Sequence, residues 1–236
     1  MLALLTALIV AALAQEPQAA ALEPEPTPAW RVQGTVMPAP SMSDTGVFLV
    51  GDASISHRGR RGMRLDARLS PAILAATMGG AGANGTVTGL VVYDHRLFAI
   101  GVGGGMSLGS MYYAGAAPVY AQHLRIGRID GANLTVYNQF AVDMRWGGYW
   151  VADDIDVSIQ APLSDDVKFV LRGQGGSQFG AGTIGVRLRT GGEGERGSWI
   201  TPHIGAAGGF LDNGRGWRND IDLAGPVVGF TADARF

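Results

Sequence analysis

Val227-Val228-Gly229-Phe230-Thr231-Ala232-Asp233-Ala234-Arg235-Phe236 alternates in character at every second residue. Val228, Phe230, Ala232, Ala234 and Phe236 share one side, and Val227, Gly229, Thr231, Asp233 and Arg235 share the other. Successive side chains of a strand point to opposite faces, so this is a strand with one oily and one polar face. Its last residue is aromatic.

The same pattern recurs upstream. Met63, Leu65, Ala67 and Leu69 oppose Arg64, Asp66 and Arg68. Leu124 and Ile126 oppose His123 and Arg125, and Val136, Phe140 and Val142 oppose Tyr137, Gln139 and Asp143. Ile155, Val157 and Ile159 oppose Asp154, Asp156 and Ser158. Val167, Phe169 and Leu171 oppose Lys168 and Arg172, while Ile184, Val186 and Leu188 oppose Arg187 and Arg189. Ile200 and Ile204 oppose Thr201 and His203, and Ala53 and Ile55 oppose Asp52, Ser54 and Ser56. Weaker segments run over 30–37, 86–93 and 97–108. The sum is about twelve strands, with ten as the alternative. Even numbers suit a closed bacterial barrel, as do connections alternating between short turns and longer loops.

Residues 1–14 read as a secretory signal, with an apolar run ending in Ala12-Leu13-Ala14 before Gln15. That run has no Lys or Arg ahead of it and is too short to span a bilayer as a helix, which needs ~20 residues. Residues 15–29, rich in Ala, Glu and Pro, read as a flexible periplasmic tail. Residues 30–236 form one domain. The chain has no cysteine, which excludes disulfides and thiolate metal sites, and its net charge of -2 argues against a nucleic-acid partner.

The exported N-terminus, the alternating strands and the aromatic end at Phe230 and Phe236 together resemble the Gram-negative outer-membrane β-barrel superfamily. That resemblance implies an all-β, transmembrane, up-and-down antiparallel barrel in the cell outer membrane. It also implies lipid around the wall and a barrel-assembly machinery that reads the C-terminal strand. Tyr112, Tyr113, Trp146, Tyr149, Trp150, Phe210 and Trp217 would form the outer aromatic girdle, and Phe98, Phe169, Trp199 and Phe236 the inner one.

Charges on the polar faces should then line a lumen and pair across strands. The expected inward set comprises Asp52, Arg64, Asp66, Arg68, Arg125, Asp143, Arg145, Asp154, Asp156, Lys168, Arg172, Arg187, Arg189, Asp233 and Arg235. Folding the hairpins in register sets Arg145 opposite Asp154, Asp154 opposite Arg172, and Asp52 opposite Arg68. Basic residues outnumber acidic ones in this set, so a pore would prefer small anions.

Catalytic patterns are missing. Outer-membrane phospholipases and lipid A deacylases, similar in fold, place a His just before a nucleophilic Ser. None of His57, His95, His123 or His203 is followed by one, and the Asp-x-His element of omptin-type proteases does not occur. Gly101-Val102-Gly103-Gly104-Gly105 lies in a strand with no helix after it, so it does not fit a phosphate-binding loop. Ser70-Pro71 predicts one or two helical turns over 70–77, plugging the barrel mouth, or else an extended hairpin. No metal or cofactor is expected. The expected function is a porin-like or small-solute channel with an Arg-rich lumen. The alternatives are a structural or adhesive barrel without transport, a lipid-modifying enzyme, and, off the membrane, a soluble periplasmic β protein.

Overall fold

The computed structural model describes residues 29–41, 46–59, 62–76, 80–109, 115–129, 131–143, 149–175, 179–193, 196–211 and 221–235. The signal segment, nearly all of the tail, Arg145 and Phe236 lie outside them. Most of the outer-girdle aromatics do too.

Among the described residues there are twelve strands: β1 (Ala29–Ser41), β2 (Gly46–Arg58), β3 (Met63–Ala76), β4 (Gly80–Asp94), β5 (Phe98–Gly109), β6 (Gly115–Gly127), β7 (Asn133–Asp143), β8 (Tyr149–Pro162), β9 (Val167–Gly175), β10 (Phe179–Glu193), β11 (Arg196–Leu211) and β12 (Ile221–Arg235). Each pairs antiparallel with its neighbours in sequence, and β1 pairs with β12 to close a barrel. Closure removes every free edge. At one end, here the turn end, sit the termini of the described barrel and the short connections β2–β3, β4–β5, β6–β7, β8–β9 and β10–β11. The other is the loop end.

The period-two reading is realised along the wall. Leu65 is 59% exposed, Ile204 62% and Val228 62%, although these are among the most apolar side chains of the chain. Ile55, Leu69, Val87, Ile100, Val102, Leu124, Leu171 and Phe230 face outward with them. At the turn end Trp30, Tyr93, Phe98 and Phe169 also face outward. Their alternating partners, including Asp52, Arg125, Lys168, Arg172, Arg187 and Asp233, are buried inside. The fold is inverted relative to a water-soluble sandwich, whose polar faces meet solvent. Strand β4, ambiguous in sequence, turns Val87, Val91 and Tyr93 outward and Thr86, Thr88, Leu90 and Val92 inward.

The helical reading of Ser70–Thr77 does not hold: Ser70–Ala76 continue β3, paired with β4 along its whole length. A cap residue and a proline are outweighed by ladders on both sides. The proline still leaves a mark, because the β2–β3 ladder is interrupted opposite Pro71, which has no N–H to give. β10 and β11 stay paired out to Glu193 and Arg196, with a register shift between Arg189 and Gly191 and Gly192 at φ 78°. A glycine takes that positive φ without strain.

The cross-section is pinched on one side. β4 and β6 approach each other across β5. A Cβ on Gly103 would fall on the Gly89 carbonyl, and one on Gly105 on the Val87 carbonyl. Only glycine permits that closeness, so β5 is a crease in the wall. Inside the crease Leu90, Val92, Ala99, Ala121 and Tyr137 pack together. The interior is therefore part apolar there.

Candidate functional site

The lumen-facing strands deliver three groups of paired charges. The first spans the barrel. Arg172 on β9 donates from Nη2 to Asp52 Oδ2 on β2 at 2.8 Å. It also donates to Asp156 on β8, Nε to Oδ1 at 2.9 Å and Nη2 to Oδ2 at 2.5 Å. Arg68 on β3 donates to Asp52 and to Asp156, each at 3.3 Å. The four side chains form a ring of alternating charge. β2 and β9 are five strand-steps apart one way round the barrel and seven the other, and so are β3 and β8. The ring therefore ties nearly opposite walls. The Arg68 guanidinium also lies 3.9 Å from the centre of the Tyr137 ring. The Tyr137 hydroxyl donates to Gln139 at 3.0 Å and is 2.7 Å from Thr88 Oγ1.

The second group sits at the turn end on the β3–β6 side. Arg64 grips Asp66 through Nε and Nη2 at 2.7 and 2.8 Å, and reaches Asp94 with Nη1 at 2.6 Å. Arg125 donates to the other Asp94 oxygen at 2.7 Å, and to the carbonyls of His95 and Gly127. His123 Nε2 is 3.4 Å from Arg64 Nη2.

The third group faces it from β9–β12. Arg187 donates to Gln160 at 2.7 Å and to Asp233 at 2.9 Å. Lys168, Arg187 and Arg189 surround the Trp199 ring at 4.6, 4.9 and 4.9 Å from its centre. Arg189 also meets the exposed Asp166 of the β8–β9 turn at 3.3 Å. His203 and Thr231 share a buried hydrogen bond of 2.8 Å on the adjoining wall.

Between the ring and the turn end lies a cavity of about 190 Å³. Ser54, Ser56, Thr135, Ser158, Thr201 and Thr231 line it, with the ring residues across its top. On the loop side of the ring the described inward side chains are uncharged: Thr86, Ser107, Gln139, Gln174 and Thr183. Among the described residues no cluster of three or more His, Asp or Glu side chains is arranged to hold a metal ion.

Of the expected inward set, Asp52, Arg64, Asp66, Arg68, Arg125, Asp156, Lys168, Arg172, Arg187, Arg189 and Asp233 come together in these groups. Asp143, Asp154 and Arg235 belong to described strands, but their side chains, like all of Arg145, lie outside the described residues. The expected cross-strand pairs are corrected. Asp154 stands opposite Gln139, Arg172 opposite Ser158, and Arg68 opposite Ser54. Two features move the register: a bulge in β8, where Asp154 and Ala152 follow one another opposite Gln139 and Phe140, and hairpins centred one to three residues from where those expected pairs put them. Arginine is long enough to find its carboxylates diagonally and across the lumen all the same.

Sequence reasoning missed Asp94, which it left in a turn, and it put Trp199 in the inner girdle. Trp199 is 4% exposed and faces inward. Its odd number, shared with the inward Thr201 and His203 and opposed to the outward Ile204, was the available signal.

No family model matches this chain, and no curated protein matches it. Among solved structures, a KdgM porin in complex with disordered oligogalacturonate is similar over 88% of this chain and 98% of its own, with 11% sequence identity and a TM-score of 0.44. A second, CghA with Sch210972, is similar over 88% of both chains with 8% identity and a TM-score of 0.17.

Proposed function

We propose that this chain is an outer-membrane β-barrel that works as a narrow, porin-like channel for small solutes, with a preference for anions. One observation carries the reading: large apolar side chains face outward around the wall, while nearly every described charge in the strands is paired inside. An exterior of that kind is costly in water and favourable against acyl chains. Only a closed barrel or a helix satisfies its backbone in lipid. The outward Trp30, Tyr93, Phe98 and Phe169 at the turn end supply an interfacial girdle.

The channel reading is supported by the polar cavity in line with the lumen and by the polar, uncharged side chains described on its loop side. Anion preference is supported by the balance of described inward charges. Within the three groups Arg64, Arg68, Arg125, Lys168, Arg172, Arg187 and Arg189 exceed Asp52, Asp66, Asp94, Asp156 and Asp233 by two. The segment 1–14 would export the chain. The assembly machinery would read β12, in which Phe230 faces outward. The second reading is a structural barrel without transport, favoured by the ring that crosses the lumen.

Fractionation and planar-bilayer recording decide between them. The channel reading expects the chain in the outer membrane, a faster gel band before heating than after, and a small anion-preferring conductance. A folded, membrane-inserted barrel that passes no current leaves the structural reading standing. Recovery in the soluble periplasm would overturn both.

A further inference from the structure

We infer that the cavity between the ring and the turn end is a binding site for a neutral, pentitol-sized polyol, detained there on its way through the barrel. The inference rests on the channel reading and adds which class of solute the lumen retains, and where.

The hydroxyls carry it. Ser54 and Ser56 on β2, Ser158 on β8 and Thr201 on β11 line the cavity. Among the described residues no hydrogen bond joins these four side chains to the protein. A hydroxyl both donates and accepts, and it rotates to suit its partner. Left unpaired away from bulk water it is costly. Four of them turned on one space therefore call for an occupant that gives and takes at each contact. Water does so, and a polyol does so with its oxygens already linked.

Their arrangement favours the linked oxygens. β8 is six strand-steps from β2 in either direction, and β11 is three from each. The hydroxyls thus approach from three sides, at quarter intervals round the wall. The remaining quarter is the crease, which presents the buried Leu90 of β4 to the same space. A polyol has the matching anatomy, with oxygens along its edges and C–H groups to set against Leu90. The cavity's volume of about 190 Å³ is the share of roughly six waters in the liquid, close to the bulk of one xylitol molecule.

Charge selects against an ion at this point. Arg64 is held by Asp66 and Asp94, Arg172 by Asp156 and Asp52, and Arg187 by Gln160 and Asp233. An anion gains one of these arginines only by displacing a buried partner, which is then left unsatisfied. A neutral molecule takes the hydroxyls and leaves every pair intact. The positive excess of the lumen sets which ions pass, and the cavity sets which solute is detained.

Xylitol is the probe. The full chain is folded in detergent micelles, and saturation-transfer NMR follows the C–H signals of xylitol as its concentration rises. The response should saturate in the millimolar range. It should be far weaker for 1,5-pentanediol, which has the length without the inner hydroxyls. Ser158→Ala combined with Thr201→Val removes two hydroxyls and keeps the side-chain shapes. The midpoint should rise about tenfold, as the loss of two modest hydrogen bonds predicts. The heat-sensitive gel band reports whether that variant is folded, and Ser54→Ala with Ser56→Ala repeats the test from the opposite wall. Xylonate, the same skeleton with a carboxylate, should bind no more tightly than xylitol.

A response that does not saturate, that is equal for the diol, or that is unchanged in the folded variants would overturn the site while leaving a channel in place. Tighter binding of xylonate would overturn the neutral assignment. Passage is read separately, since liposomes carrying the chain should swell in xylitol. Saturable binding without swelling would overturn the channel reading, and the role of the site in passage would fall with it.

Discussion

Arg172 and Asp52 meet at 2.8 Å across the lumen, although they stand 120 positions apart in the chain. The contact joins β9 to β2 through the interior, independently of the ladders that join them round the wall. Removing one end strands a buried charge. Arg172→Met should cost about 3–5 kcal/mol, since Arg68 alone must then serve two carboxylates. Arg172→Met combined with Asp156→Leu keeps the balanced pair Arg68–Asp52 and should cost far less. Urea unfolding in detergent, followed by tryptophan emission, measures both. Equal losses in the single and double variants would mean that the ring is not acting as a coupled unit.

Trp199 faces inward, with Lys168, Arg187 and Arg189 around it, whereas Trp30 faces outward at the same end. Proteins retaining only one of these tryptophans, folded into bilayers with brominated acyl chains, should separate cleanly. Emission from Trp30 should be quenched and that from Trp199 should be nearly unaffected. Comparable quenching of the two would place Trp199 on the lipid side and dissolve the third charge group.

The crease along β5 makes a sharper demand. Gly103→Ala or Gly105→Ala drives a methyl into a backbone carbonyl, whereas Gly182→Ala adds one where nothing lies within 4 Å. Ordinary overpacking costs about 1–3 kcal/mol, and a clash with backbone has less room to relax. Refolding yield, read from the heat-sensitive gel band, should drop steeply for the first two and stay near the parent value for the third. Wild-type yields for all three would remove the steric reason for the crease.

The strands were legible because the solvent on each face imposes a period of two, and a period survives errors at its ends. Hence the outward Met63, Leu65 and Leu69 and the inward Arg64, Asp66 and Arg68 could be sorted from sequence alone. The partners could not. Which aspartate meets Arg172 depends on the β8–β9 register, which sets Ser158 opposite it, and on the curvature that brings β2 toward β9, and no local pattern encodes either. Ser70-Pro71 carried a true local signal for a helix start, overruled by pairing with β2 and β4. Asp94 looked like a turn residue and is one turn's last strand position, close enough to the lumen to hold Arg64 and Arg125. The glycines of β5 are of the kind that allow close packing or a bend at a barrel wall, and the close approach falls at Gly103 and Gly105.

The seam between β1 and β12 joins Arg31–Val36 to Phe230–Arg235, partners from opposite ends of the described chain. It is among the least local contacts the barrel makes, and its loop-closure entropy is met only when the final strand has been made. Until then β1 waits with an unpaired edge that any other extended segment can claim. The order of synthesis thus imposes a vulnerable interval on every copy. Keeping that edge from mispairing until β12 arrives is, for this architecture, a condition of reaching the native state.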